Sequence, residues 1–231
     1  MIFVTSDIHG AFDKYSAMLK KLSLKPTDAL FVLGDVIDKG SDGIKILKDM
    51  MYQSNIFPIL GEHEYMAKKL LPFLINAASL EACPALIPDD KKEFFASWIK
   101  SGGYPTIKAF LALSAEDKEA VLDYLEEFVP FETVEAGGRN FVLVHAGIDS
   151  FDEEKELDDY EEEAFVFKKA DYSKIYFKNS FLVTGHTFTG NIDSEKKGKV
   201  FSGKKHIAIN CSENGDKLAV LCLDTFKAYY F

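Results

Sequence analysis

Five short segments carry most of the side chains in this sequence that could do chemistry: Asp7-Ile8-His9, Asp35 to Asp38, Glu62-His63-Glu64, His145 and Gly185-His186-Thr187. Four of the five histidines fall in them, and only His206 lies elsewhere. Asp, Glu and His offer oxygen and imidazole donors that suit hard or borderline divalent cations. A carboxylate can bridge two such ions about 3.5–4 Å apart, the spacing used in two-metal phosphoryl hydrolysis. A single Asp-x-His says little; five such segments in one chain say more. The glycines beside them let the backbone turn sharply and approach closely.

The elements that must position these residues are legible from periodicity. Ile2–Thr5, Ala29–Leu33 and Ile56–Leu60 are short apolar runs of β type. Phe12, Tyr15, Leu19 and Leu22 recur at helical spacing, and Gly43–Met51 reads as a second helix. This βαβαβ order predicts a parallel, layered sheet. The donor segments follow strands, and open α/β sheets bind ligands outside the carboxyl ends of their strands. Residues spread over some 180 positions can therefore meet in one site.

Residues 65–130 change character and read as helical, with Ser114 and Asp117 marking a helix start. We expect a helical insertion or cap here within a single domain. Strand character returns at Phe141–Val144, Phe181–Thr184, His206–Asn210 and Lys217–Leu223, with Gly137-Gly138 and Asn214-Gly215 as hairpin turns. The second half should thus be a more antiparallel β region facing the first.

Composition narrows the class. The chain has 231 residues, 47% of them hydrophobic, enough for the core of one large domain. No run approaches the roughly 18–20 apolar residues of a membrane span, and Met1-Ile2-Phe3-Val4 reads as a first strand rather than a signal peptide. Three cysteines without C-x-x-C spacing argue against a disulfide framework and fit a reducing cytoplasm. A net charge of −10 argues against a nucleic-acid partner. Residues 152–163 alone hold nine acidic side chains and one lysine, the pattern of a solvated loop or exposed helix face.

The segments Asp7-x-His9-Gly10, Gly34-Asp35-x-x-Asp38-Lys39-Gly40, Gly61-Glu62-His63-Glu64, Val144-His145-Ala146-Gly147 and Gly185-His186-Thr187 together resemble the calcineurin-like metallophosphoesterase superfamily. Within it the chain is similar to the serine/threonine protein phosphatase branch, in the style of compact bacterial and phage enzymes and of symmetrical dinucleoside tetraphosphatases. The resemblance implies an α/β fold, an αββα sandwich of two mixed sheets spanning residues 1–231, with the insertion at about 65–130. It implies two divalent ions, Mn²⁺ foremost, with Fe, Zn or Mg as alternatives. Asp7 and His9 would bind the first ion, Asp35 would bridge, and Glu62, His145 and His186 would bind the second. His63 would be the general acid, oriented by Asp38, and the nucleophile a hydroxide held by the ions. Lys39 and Lys168 would bind substrate phosphate.

The implied substrate is a phosphoprotein or small phosphomonoester. A dinucleoside tetraphosphate is the alternative, and a degenerate metal-binding regulatory protein the third reading. The chain departs from the family pattern in four places. Glu62 stands where Asn is usual, and Lys39, Leu60 and Lys168 stand where arginines are usual. Lysine keeps the charge but lacks the planar fork that fits phosphate.

Overall fold

Side chains alternate across a strand, so each strand in a layered protein feeds two different cores. That rule organises the computed structural model, which describes every residue except Asn214. The first sheet holds parallel strands β1 (Ile2–Thr5), β2 (Ala29–Leu33) and β3 (Ile56–Ile59). The second holds β4 (Phe131–Ala136), β5 (Arg139–Val144), β6 (Ser180–Thr184), β7 (Phe201–Gly203) and β8 (His206–Ala208). Two late strands, β9 (Ala219–Cys222) and β10 (Lys227–Tyr230), return to the first sheet, giving the order β10-β9-β1-β2-β3.

Phe3, Leu30 and Val32 face the helices, whereas Val4, Phe31 and Leu33 face the other sheet. In the second sheet Phe141 and Leu143 meet them, with Val183 and Ile207. Val142, Val144 and Leu182 point outwards and pack with Phe165 and Tyr176. Two mixed sheets are therefore stacked face to face with helical layers outside, the expected αββα sandwich.

Helices α1 (Phe12–Leu22), α2 (Gly43–Met51) and α3 (Glu62–Leu74) follow the first three strands, and α4 (Cys83–Leu86), α5 (Lys92–Ser101), α6 (Tyr104–Leu111) and α7 (Ala115–Glu126) fill the middle segment. The Ser114 hydroxyl caps α7 by accepting from the Asp117 N–H at 3.1 Å. Buried Trp98, Phe110, Val121 and Leu125 share one core with α1, α2 and α3.

The second half is more antiparallel than the first: β4–β5, β7–β8, β9–β10 and β9–β1 pair antiparallel, against the parallel pairs β5–β6 and β6–β8. It does not all face the first sheet, because β9 and β10 return to that sheet, β9 beside β1. Strands β4, β7 and β10 were not anticipated. Each lies at a sheet edge, where one side of the ladder meets solvent and the apolar signal is weak. The Gly137-Gly138 turn closes β4 on β5 with Ala136 opposite Arg139 and φ of 54° and 71°, as a two-residue hairpin requires. The turn expected at Asn214-Gly215 falls partly outside the described residues. The acidic run is largely exposed, although Glu162 pairs with Lys68 at 2.9 Å and Glu163 accepts from the Tyr65 hydroxyl. Among the described residues no helix is long and apolar enough to cross a membrane.

His206, the histidine outside the donor segments, lies buried in β8, stacked on Tyr172 at 4.4 Å between centroids. Burial pushes its pKa from 6.5 down to about 4. The unfolded chain therefore takes the proton first as pH falls. Its stabilising contribution is complete above pH 6.5 and fades on the way to about pH 4. Denaturation of wild type and His206→Gln at several pH values should show the wild type losing about 3 kcal/mol more across that window. Parallel curves would refute this account.

Candidate metal centre

The loops after β1, β2, β3 and β6 converge on one cavity of about 820 Å³ lined by Asp7, His9, Asp35, Glu62, His63 and His186, among others. His145, at the end of β5, lies beneath it and is fully buried. Short backbone bonds splice the loops together: Asp7 N–H to Gly34 O at 3.0 Å, His9 N–H to Asp35 O at 2.9 Å, and Gly185 N–H to His145 O at 2.8 Å. Asp7, His9, Asp35, Asp38, Lys39 and His186 all adopt left-handed backbone, with φ between 46° and 69°. Such strain persists only where the surroundings over-determine it, and it gathers at functional sites. Glycine makes the approach possible. A Cβ on Gly34 would lie 2.3 Å from Gly61 Cα, forcing the ends of β2 and β3 apart.

Asp35 is the hub. Its Oδ1 is 3.3 Å from His145 Nε2, and its Oδ2 is 3.6 Å from His9 Nε2 and 3.8 Å from His63 Nε2. Two donor groups share it, one with His9 and His63, the other with His145 and His186. Glu62 Oε2 sits 3.5 Å from His186 Nδ1. Asp7 adjoins the cluster but is absent from both groups. Its oxygens accept from Ser6 Oγ at 2.5 Å, the His186 N–H at 3.0 Å and Asn210 Nδ2 at 2.9 Å.

The donors fit divalent cations. His145 Nδ1 donates to Leu33 O at 2.7 Å and His9 Nδ1 to Ile37 O at 3.1 Å, which turns both Nε2 lone pairs towards the centre. His145 Nε2 is buried without a hydrogen-bond partner. The Lys39 ammonium donates to His9 Nε2 at 2.8 Å, placing a positive charge on one of these lone pairs. Burial lowers His9 and His186 to about 4, so both are neutral at pH 7. Burial and then the charge of Asp35 push the Asp7 carboxyl up to about 6, and the same causes raise Glu62. Burial opposes ionisation of Asp35 too, but His145, His63, His9 and His186 outweigh it and hold its carboxyl low. The pKa of His145 is raised instead, its burial outweighed by Asp35 and Asp7. Crowded carboxylates beside the neutral imidazoles of His9 and His186 form a cluster that bound cations would relieve.

His63 differs from its neighbours. Its Nδ1 meets Asp38 Oδ2 at 2.5 Å. Burial works against the imidazolium, but Asp35 and Asp38 carry its pKa up to about 9. Glu64, at the start of α3, accepts from the N–H groups of Asp35, Val36 and Ile37 at 2.7, 2.8 and 3.1 Å and so holds the Asp35–Asp38 loop.

The proposed phosphate-binding lysines separate. Lys39 lines the cavity, but Lys168 does not; it lines a shallow surface pocket with Tyr160 and Phe167, while Lys169 reaches the cavity. Sequence reading also missed Ser6 and Asn210, which brace Asp7. Neither belongs to a donor segment; Ser6 adjoins Asp7 in sequence, whereas Asn210 reaches it across 203 positions, only once the sheets are stacked.

The sequence pattern of calcineurin-like phosphoesterases matches residues 1–221. The chain belongs to this family. Two symmetrical bis(5'-nucleosyl)-tetraphosphatases are among its relatives. That of Acidovorax sp. (strain JS42) is 25% identical over 149 residues, covering 64% of this chain and 44% of the relative. That of Wigglesworthia glossinidia brevipalpis is 34% identical over 65 residues, covering 27% and 24%. The chain thus spans less than half the length of these relatives. A calcineurin-like fold is also shared with a serine/threonine protein phosphatase from Saccharomyces cerevisiae, with TM-score 0.61, 13% identity, and coverage of 100% of this chain and 79% of that one. A crystal structure provisionally assigned as a diadenosine tetraphosphatase gives TM-score 0.61 at 17% identity, covering 100% and 92%.

Proposed function

We propose that this chain is a metal-dependent phosphoester hydrolase acting on phosphoproteins or small phosphomonoesters in the cytoplasm. Asp7 and His9 would hold one divalent ion, Glu62, His145 and His186 the second, and Asp35 would serve both, with Mn²⁺ the expected metal. The observation that carries this reading is an Asp38-anchored imidazole, His63, with its Nε2 3.8 Å from the shared carboxylate Asp35. Bound ions would supply Lewis-acid charge opposite the phosphoryl oxygens. His63 then delivers a proton from Nε2 to the leaving-group oxygen, Asp38 holds the ring at Nδ1, and Lys39 and Lys169 attract the phosphate.

A second reading is hydrolysis of a symmetrical dinucleoside tetraphosphate. The names of the curated relatives favour it, and the cavity extends past the donors to Phe188, whose ring could stack on a base.

A panel of para-nitrophenyl phosphate, a phosphopeptide and diadenosine tetraphosphate, each with Mn²⁺, Mg²⁺ or Zn²⁺, separates these readings. Phosphate from the first two supports the first, and ADP from the third supports the second. Glu62→Asn belongs in the same panel. Glu62 adds a carboxylate beside His186 that repels a phosphate dianion. Its removal should raise turnover with Mn²⁺ by about fivefold, on the order of 1 kcal/mol. A loss of activity in Glu62→Asn would contradict that account of the side chain. Silence of both proteins across the panel would favour a degenerate metal-binding protein instead.

A further inference from the structure

The helical segment between β3 and β4 reaches into the centre at one place. Helix α5 ends at Ser101, and Gly102, at φ 114°, turns the chain back on itself. Gly103 lies flat on the Trp98 indole, where a Cβ would fall 2.7 Å from Nε1. This leaves Trp98 fully buried, with its Nε1–H donating to Asp38 Oδ2 at 2.6 Å. Two more bonds from the same stretch reach the same loop: the Asp38 N–H donates to Thr106 Oγ1, and the Lys39 N–H to Gly102 O, both at 3.0 Å.

Asp38 needs such support. It is fully buried, sits at φ 69°, and its Oδ1 has no hydrogen-bond partner. Oδ2 alone accepts from both His63 and Trp98. An indole N–H is a donor only, so it anchors the oxygen without competing for the His63 proton.

We propose that Trp98, assisted by Thr106, is a positioning residue for the acid. It fixes the Asp38 carboxylate so that Oδ2 stays against His63 Nδ1 and His63 Nε2 stays aimed into the cavity. The inference rests on the reading of His63 as proton donor. It gives residues 98–106, of which Ser101 lines the cavity, a part in the reaction.

The test compares wild type with Trp98→Phe on two esters that differ in their need for a proton. Loss of an alkyl alkoxide requires the acid, whereas para-nitrophenolate leaves unaided. In Trp98→Phe, kcat on an alkyl phosphate should fall about 10²-fold, with only a severalfold fall on para-nitrophenyl phosphate. KM should stay within about twofold for both. Equal losses on the two esters would mark the role as merely structural and overturn the proposal. If Trp98→Phe does not fold, Thr106→Val keeps the indole and reads the same split.

A second readout does not depend on turnover. Trp98 is the only tryptophan, so its indole N–H gives one assignable NMR signal. In Zn²⁺-loaded protein that signal should be protected from exchange and should shift in Asp38→Asn. The His63 Nδ1 proton should lose protection in Trp98→Phe. A His63 signal indifferent to Trp98 sinks the proposal. A wild type inert towards both esters would sink the phosphoester reading, while the two proton signals would still decide the positioning.

Discussion

Replacing His63 with Gln is expected to lower kcat by about 10²- to 10⁴-fold, the usual contribution of a positioned proton donor. The variant should keep its metal. His63 Nε2 faces Asp35 together with His9, so geometry alone would admit it as a ligand. The bond from Nδ1 to Asp38 at 2.5 Å is what argues for the acid. The neighbouring His9 and His145 rest instead on backbone carbonyls. Metal content and steady-state kinetics on the same preparation separate the two roles. Slow turnover with the full metal complement identifies the acid. Slow turnover with metal lost would move His63 into the ligand set.

Asp35→Asn should have the other large effect, and it should appear first in metal binding. Both donor groups share this carboxylate. The amide has the same shape but no charge, so each ion would lose its common anionic ligand. Elemental analysis should find the variant depleted in both ions. Turnover should fall by roughly 10³-fold, since the Lewis-acid contribution is worth several kcal/mol. Thermal unfolding gives an independent check. A cation that binds only the folded protein stabilises it by about 2.7 kcal/mol at a hundred times its Kd. Mn²⁺ should therefore raise the Tm of wild type and leave that of Asp35→Asn almost unmoved. An equal rise in both would mean that Asp35 does not bridge.

Asp7 complicates a simple ligand count. Its carboxylate is held by Ser6, Asn210 and the backbone of His186, and its raised pKa comes from burial first and then from the charge of Asp35. Ligation of a cation by Asp7 would remove that penalty.

The residue chemistry and the first three strands were legible because both are local. Ala29–Leu33 and Gly43–Met51 follow from apolar runs and helical spacing, and the structure places them within those bounds. The donor segments could be located because polar residues follow each apolar strand, where a layered sheet opens to ligands. The edge strands β4, β7 and β10 escaped because solvent on one side dilutes their apolar signal.

Tertiary structure decided what depends on pairing between distant residues. The return of β9 to β1, the bond from Asn210 to Asp7 across 203 positions, and that from Trp98 to Asp38 across 60 leave no periodic trace in the chain. The same holds for the choice between Lys168 and Lys169, which follows from how the loop after Val166 lies over the cavity. The sequence by itself determined which donor atoms are available and at which strand ends they sit, because residue type and local pattern suffice for that. Stacking of the two sheets and packing of α5 and α6 decided which imidazole rests on a carbonyl and which on a carboxylate, because a hydrogen bond is set by the position of both partners and not by the identity of either.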